Sequence, residues 1–254
     1  MMFNLFKKKN TIEFVNEIPG VAALMPITES KHYKHQWVNR AQQDFAKVRE
    51  NPNWRNEKMM HTARCPGIFS LQRHGWILRT WQDIVITTNG DGRSFKWRSA
   101  STHGGDAVGY HDTIQYSAYM DNWPPNTLPQ VLKINTGWRC NVPEGYYLME
   151  MSVAHADENR FTTIPGYFSR EAGPASMNVQ LMWHVLDGEE LIKAGTPIAQ
   201  YVLVPKELPE ISCRDEQYMD NIWLSHLYDT SKFVKNYNEV KKIFAKNADI
   251  SKNK

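Results

Sequence analysis

Near the N-terminus, hydrophobic residues recur in a helical pattern. Four of them follow one another at spacings of three and four residues: Trp37, Ala41, Phe45 and Val48. This spacing places them on one face of an α-helix. Asn51 precedes a proline that ends the helix, because proline lacks the amide proton that a helix interior requires. Residues 1–64 are therefore predicted to form an extended arm followed by one helix.

Between residues 65 and 206 the pattern changes to short runs rich in Val, Ile, Thr and aromatic residues, separated by Gly, Pro and Asn. Such runs are typical of β-strands joined by tight turns. The Asn-Gly-Asp-Gly sequence at 89–92 predicts a β-hairpin. We predict strands at 76–78, 83–87, 93–97, 114–119, 130–135, 146–151, 177–183 and 197–204. This region is predicted to be a mainly β core domain.

After residue 206 the helical spacing returns. Tyr218, Ile222, Leu224, Leu227 and Tyr228 begin it, and a second apolar series runs through 233–244. Residues 207–254 are therefore predicted to be a helical extension of the core domain.

Composition narrows the class of protein. The chain has 254 residues and is 41% hydrophobic, which is enough to bury one substantial core. Its mean hydropathy is −0.57 and it has no uncharged apolar run near 18 residues, so no membrane partner is predicted. The first nine residues place their lysines after a short apolar patch, which is the opposite order from a signal peptide. We expect a cytoplasmic protein.

The distribution of charged residues and cysteines also fits a cytoplasmic protein. The formal net charge of +3 is spread over short clusters, without the basic stripe that binding to duplex nucleic acid requires. Cys65, Cys140 and Cys213 lie far apart and form no CxxC pair. Neither a disulfide framework nor a cysteine zinc site is predicted, and a reducing compartment is favoured.

Four segments carry a resemblance to known families: Thr-Gly-Trp at 136–138, Val-Pro-Glu-Gly-Tyr at 142–146, Ile-Pro-Gly at 164–166 and Gly-Thr-Pro-Ile-Ala-Gln at 195–200. Over residues 67–207 the chain resembles an uncharacterised family of bacterial and phage proteins. More distantly, the same segments resemble the dUTPase and dCTP deaminase superfamily, which has a β-clip fold. The resemblance implies a β-clip or jelly-roll-like barrel, with the N-terminal arm and helix and the C-terminal helices packed around it. A phage-encoded protein would act in the host cytoplasm.

The catalytic motif of that superfamily is missing. Ser169 stands where these enzymes have the aspartate that activates water, and residues 151–153 read Met-Ser-Val in place of a phosphate-binding Arg-Ser-Ser segment. The resemblance therefore implies a fold and not the activity. We expect a non-catalytic or activity-drifted β-domain that binds a small ligand, either nucleotide-like or of another kind.

The predicted ligand-binding residues come from their positions on strands and corners of the core: Trp138, Arg139, Tyr167, Gln180 and Gln200. Aromatic rings stack on bases or sugars, and the amide and guanidinium groups orient them. His111 and Asp112 form a second polar cluster, in which a carboxylate orients an imidazole for general-base chemistry.

Two other functions remain open. His155 and Asp157 lie two residues apart and His184 is a third candidate ligand, so these residues could form the facial triad of an Fe(II)/2-oxoglutarate oxygenase. Alternatively, the aromatic content of nine Trp, eleven Tyr and ten Phe would serve a structural or assembly role in a homo-oligomer.

Overall fold

The computed structural model describes residues 11–51, 65–100, 106–116, 123–173 and 175–214. Their regular structure consists of fifteen β-strands, four α-helices and two short 3₁₀-helices, Ser30–His32 and Arg170–Ala172. The helices are α1 (Val21–Leu24), α2 (Gln36–Glu50), α3 (Pro66–Arg73) and α4 (Thr113–Tyr116). The strands are β1 (Glu13–Asn16), β2 (Thr28–Glu29), β3 (Trp76–Arg79), β4 (Ile84–Asn89), β5 (Phe95–Ser99), β6 (Val108–His111), β7 (Val131–Ile134), β8 (Trp138–Asn141), β9 (Tyr146–Met151), β10 (Phe161–Thr163), β11 (Gly166–Phe168), β12 (Ala175–Ser176), β13 (Val179–Trp183), β14 (Asp187–Ile192) and β15 (Pro197–Pro205).

All strands pair antiparallel, in four sheets. Their orders are β1-β8-β12, β10-β13-β7-β6, β11-β9-β15-β3-β2 and β14-β4-β5. The predicted mainly β fold is confirmed. Among the described residues, every helix is too short or too polar to span a bilayer.

The chain divides into two compact units. The first comprises Met1–His35 with Phe69–Leu208 and holds all fifteen described strands. The second comprises Gln36–Ile68 with Pro209–Lys254. Within the second unit, α2 confirms the helix predicted from apolar spacing, and the helices predicted after residue 214 lie outside the described residues.

The core of the first unit draws on all four sheets. Along β13, Val179, Leu181 and Trp183 are buried while the residues between them are not, as strand alternation requires. Leu78 on β3 and Ile86 on β4 join the same cluster. Each large apolar side chain buried in this way contributes about 1.5–3 kcal/mol, so this alternation stabilises the sheets that carry the candidate site.

Local chemistry explains the predicted hairpin. The turn at 89–92 joins β4 to β5, and Thr88 pairs with Phe95 across it. Gly90 and Gly92 have φ values of 77° and 64°, which glycine adopts without steric cost. Asp91 Oδ1 accepts hydrogen bonds from the backbone amides of Arg93, at 2.7 Å, and Ser94, at 3.0 Å. The hairpin prediction is confirmed.

The strand predicted at 114–119 is wrong over its described part, which lies in α4. Asp112 and Gln115 form a reciprocal capping arrangement around the first turn. The amide of Thr113 donates to Asp112 Oδ1 at 2.6 Å, and the amide of Asp112 donates to Gln115 Oε1 at 2.9 Å. These bonds satisfy free amides at the start of the helix and outweigh the β-propensity of the Thr-Ile pair. Residues 117–119 lie outside the described residues.

Candidate functional site

A cavity of about 350 Å³ is lined by residues of β6, β7, β9, β11, β12 and β13. This volume lies at the lower end of the range for small-molecule pockets. Six polar residues line it: His111, Lys133, Glu150, Ser176, Asn178 and Gln180. The Ile-Pro-Gly corner at 164–166, Tyr167 and Phe168 complete the wall.

Strand register brings the polar groups of the β10-β13-β7-β6 sheet together. Gln180 lies directly opposite Lys133, and Gly109 lies opposite Lys133 on its other side. Residues paired in this way share one face of a sheet, as do residues two apart along a strand. His111, two residues from Gly109 on β6, therefore lies on the same face as Lys133 and Gln180. Asn178 lines the same cavity from the irregular segment before β13. The opposite face carries buried apolar side chains, including Leu181 and Leu132.

Glu150 supplies a carboxyl from the neighbouring sheet. It lies two residues beyond Leu148 on β9, and both are buried. Oε2 accepts a hydrogen bond from the hydroxyl of Tyr201. Burial raises the pKa of Glu150 to about 7, and the bond from Tyr201 opposes this rise. The cavity thus contains a carboxyl whose charge changes near neutral pH.

His111 contributes a polar atom with no partner. Its Nδ1 lies 3.2 Å from Gln115 Oε1, while Nε2 is buried and has no hydrogen-bond partner among the described residues. Buried polar atoms are almost always paired in folded proteins. A ligand in the cavity would be able to pair with Nε2.

The ring of Tyr167 packs against neighbouring side chains. Tyr167 is 62% exposed, and its ring centroid lies 5.2 Å from that of Tyr147. The Lys206 ammonium lies 5.1 Å from the Tyr147 centroid and forms an ion pair with Glu171. This contact orders Tyr167. Tyr167 pairs with Met149, so its side chain leaves the edge strand β11 on the face opposite Glu150, and Tyr167 lies at the edge of the cavity.

Gln180 is positioned by a partner from α4. The hydroxyl of Tyr116 donates a hydrogen bond to Gln180 Oε1. This bond fixes the carbonyl end of the amide, so its NH₂ group is left to donate to a ligand. The capped helix α4 therefore has a part in the site, because it carries Tyr116 and positions Gln115 beside His111.

Two of the five predicted ligand-binding residues, Tyr167 and Gln180, line this cavity. Trp138 is 4% exposed and belongs to the core, next to a separate cavity of about 120 Å³. Arg139 is exposed on β8 and forms an ion pair of 2.9 Å with Glu17. Gln200 is fully buried and bonds backbone groups, donating to His74 O at 2.7 Å.

The predicted metal ligands occupy a different part of the first unit. His155 and Asp157 are exposed, and His155 has a φ of 55°. His184 has a threonine hydroxyl at each ring nitrogen, at 3.1 Å from Nδ1 and 2.8 Å from Nε2. In the part of the chain that the structure describes, no three His, Cys, Asp or Glu side chains are grouped to hold a metal ion. The triad stays a prediction, which Fe(II) titration of wild type and His155→Ala tests.

Sequence reasoning missed Glu150, Lys133 and Asn178. For Glu150 a signal was present, since it shares the strand parity of Leu148 and therefore had to point inward. Lys133 likewise interrupts an apolar run on β7. Asn178 carries no comparable signal, because it precedes β13 in an irregular segment.

Comparison with known proteins gives distant structural likeness only. No protein family model and no curated protein matches the chain. A dUTPase from phage phi11 of S. aureus is 14% identical, with 57% of this chain and 84% of that chain covered and a TM-score of 0.31. The EIAV dUTPase is 10% identical, with 56% of this chain and 83% of that chain covered and a TM-score of 0.30. A Staphylococcus bacteriophage 80alpha dUTPase is 15% identical, with 57% of this chain and 84% of that chain covered and a TM-score of 0.32. These values assign no activity to this chain.

Proposed function

We propose that this protein binds a small nucleotide-like ligand in the cavity between β7, β9, β11 and β13. The observation that carries the proposal is the set of polar side chains that line one cavity, His111, Lys133, Asn178 and Gln180, with the exposed Tyr167 at its edge. A cavity of about 350 Å³ with few convergent polar groups and an aromatic wall fits a ligand of this size and chemistry.

Each part of a nucleotide has a complementary group in the wall. The ring of Tyr167 stacks on the base, since every nucleobase has a π-face that an aromatic side chain binds. The amides of Asn178 and Gln180 both donate and accept, which suits the polar edge of a base. The ammonium of Lys133 pairs with phosphate as a point charge.

A thermal-shift measurement with five deoxynucleoside triphosphates, including dUTP, in the presence of Mg²⁺ tests the proposal. A ligand that binds only the folded state raises the midpoint of unfolding. We expect one or more nucleotides to raise the Tm of wild type, and Lys133→Met to reduce that rise. Lys96→Met is the matched control, because Lys96 is exposed on β5 and does not line the cavity.

Two results would contradict the proposal. One is the absence of any shift in wild type at millimolar nucleotide. The other is an equal loss of the shift in Lys133→Met and Lys96→Met, which would mean that binding depends on general surface charge. A concentration-dependent mass in light scattering, combined with no nucleotide shift, would favour the assembly role instead.

A further inference from the structure

We infer that Glu150 selects the ligand: in its neutral form it donates a hydrogen bond from Oε1 to a ring carbonyl oxygen or a pyridine-type ring nitrogen of the bound base. This inference rests on the proposed function and identifies the ligand atom that the cavity recognises. It predicts that proton uptake accompanies binding, because the ionised carboxylate has no proton to donate.

The position of Glu150 in the sheet opens one of its oxygens to the cavity. β9 lies between β11 and β15, with Gly166 opposite Glu150 on one side and Tyr201 on the other. The Tyr201 hydroxyl occupies Oε2, and the structure shows no bond from a described residue to Oε1. Gly166 shares the face of Glu150 but has no side chain, and a Cβ added there would meet no atom within 4 Å. The space beside Glu150 is therefore open to a ligand.

The groups around Glu150 favour its neutral form. Tyr201 faces it from β15, and Cys140 lies on β8. Burial raises the pKa of both of these side chains, that of Cys140 to about 11, and the nearby charge of Glu150 adds to each rise. Both are therefore uncharged at neutral pH. His111 and Lys133 are the basic residues that line the same cavity, from β6 and β7. The raised pKa of Glu150, about 7, shows that burial outweighs stabilisation of the carboxylate.

Calorimetric titration with 2′-deoxynucleosides at pH 6 and pH 8 tests the role of Glu150. Nucleosides are used because their bases do not titrate in this range and they carry no phosphate. Wild type should bind about tenfold more weakly at pH 8, where most Glu150 has lost its proton. In Glu150→Gln the amide NH₂ replaces the carboxyl O–H, so the affinity should be equal at both pH values.

Two further variants complete the design. Glu207→Gln is the matched control, since Glu207 is exposed and outside the cavity, and it should keep the wild-type pH dependence. Should Glu150→Gln not fold, Tyr201→Phe gives the same information. Its loss of the hydrogen bond that lowers the pKa of Glu150 should move the midpoint of the binding curve to higher pH.

The outcomes separate this inference from the proposed function. Equal wild-type affinity at pH 6 and pH 8 overturns the role of Glu150 and leaves the ligand site intact. The same holds if Glu150→Gln keeps the tenfold drop, or if Tyr201→Phe leaves the midpoint unchanged. No binding of any nucleoside or nucleotide by folded wild type overturns both.

Discussion

The hydroxyl of Tyr201 donates a hydrogen bond to Oε2 of Glu150, and the two side chains are 0% and 4% exposed. They lie opposite one another on β15 and β9. A carboxyl at a core position is costly unless it is hydrogen-bonded or neutral. The phenol meets the first condition, and the raised pKa of Glu150 reflects the second. This pair makes the interior of the protein sensitive to pH.

The stability of the fold should therefore depend on Glu150 in a defined window. Its pKa rises from 4.5 in the unfolded chain to about 7 in the folded protein. Its contribution to the free energy of unfolding is full below pH 4.5 and is lost as the pH rises through 7, because the folded state holds this proton more tightly. Glu150→Gln removes this dependence, so its stability relative to wild type should rise by on the order of 2–3 kcal/mol between pH 4.5 and pH 8.

Urea unfolding at several pH values measures this difference. Glu207→Gln serves as the control, because an exposed glutamate should leave the pH dependence of wild type unchanged. Parallel stability curves for Glu150→Gln and wild type would contradict the assigned pKa.

Gln200 should be required for folding. Its Oε1 accepts from the amide of Ala154 at 2.9 Å, and its Nε2 donates to Leu71 O at 2.9 Å and His74 O at 2.7 Å. Gln200→Ala removes three hydrogen bonds to backbone groups and leaves the buried amide of Ala154 without this acceptor, so we expect a loss of about 3 kcal/mol in urea unfolding. Gln43→Ala, at an exposed position of α2, should change stability by less than about 0.5 kcal/mol.

The same variant separates two roles for Gln200. A Gln200→Ala protein that keeps wild-type stability but loses nucleotide affinity would support the ligand-binding role that its sequence position predicts. Loss of stability without loss of affinity in the folded fraction would support the structural role.

Elements with a strong local signal could be predicted from the sequence. The spacing of Trp37, Ala41 and Phe45 predicts α2, and the Asn-Gly-Asp-Gly sequence predicts the β4–β5 turn, because both depend on neighbouring residues only. The helix α4 was not predicted, because Gln115 was placed in the strand at 114–119 and Asp112 in the polar cluster before it, whereas together they cap a helix.

The candidate site was harder to predict because its residues come together only when strands distant in sequence pair with one another. Gln180 and Lys133 are 47 positions apart in sequence and become neighbours only through the pairing of β13 with β7. Trp138 was predicted to contact a ligand because it is an aromatic residue on a strand, and the parity of β8 places it in the core. Strand parity is visible in a sequence, whereas strand pairing is not.

Two glycines with positive φ should differ sharply in their tolerance of alanine. Gly75 has a φ of 81°, and a Cβ there would lie 1.9 Å from the backbone oxygen of Tyr201. Gly92 has a φ of 64° and open space around it. Gly92→Ala should therefore cost about 1–2 kcal/mol, the cost of a left-handed backbone. Gly75→Ala should cost more than about 4 kcal/mol or prevent folding, because the clash is with backbone. Equal losses in urea unfolding would contradict the close approach of Gly75 to β15.

Tyr167 should contribute to ligand affinity and little to stability. Its side chain is 62% exposed, so Tyr167→Ala removes little buried surface beyond its contact with Tyr147. If its ring stacks on the base, Tyr167→Ala should weaken nucleotide binding about tenfold or more in calorimetric titration. Tyr167→Phe keeps the ring and should keep the affinity within about threefold, because stacking does not require the hydroxyl.

Tyr110 provides the matched comparison for Tyr167. It is 58% exposed, packs edge-on against Phe95 and does not line the cavity. Tyr110→Ala should therefore leave the affinity unchanged. That result would show that removing an exposed tyrosine does not by itself weaken nucleotide binding. A loss of affinity in Tyr167→Phe as large as in Tyr167→Ala would assign the contribution to the hydroxyl, and the ligand would then be held by hydrogen bonding and not by a stacked base.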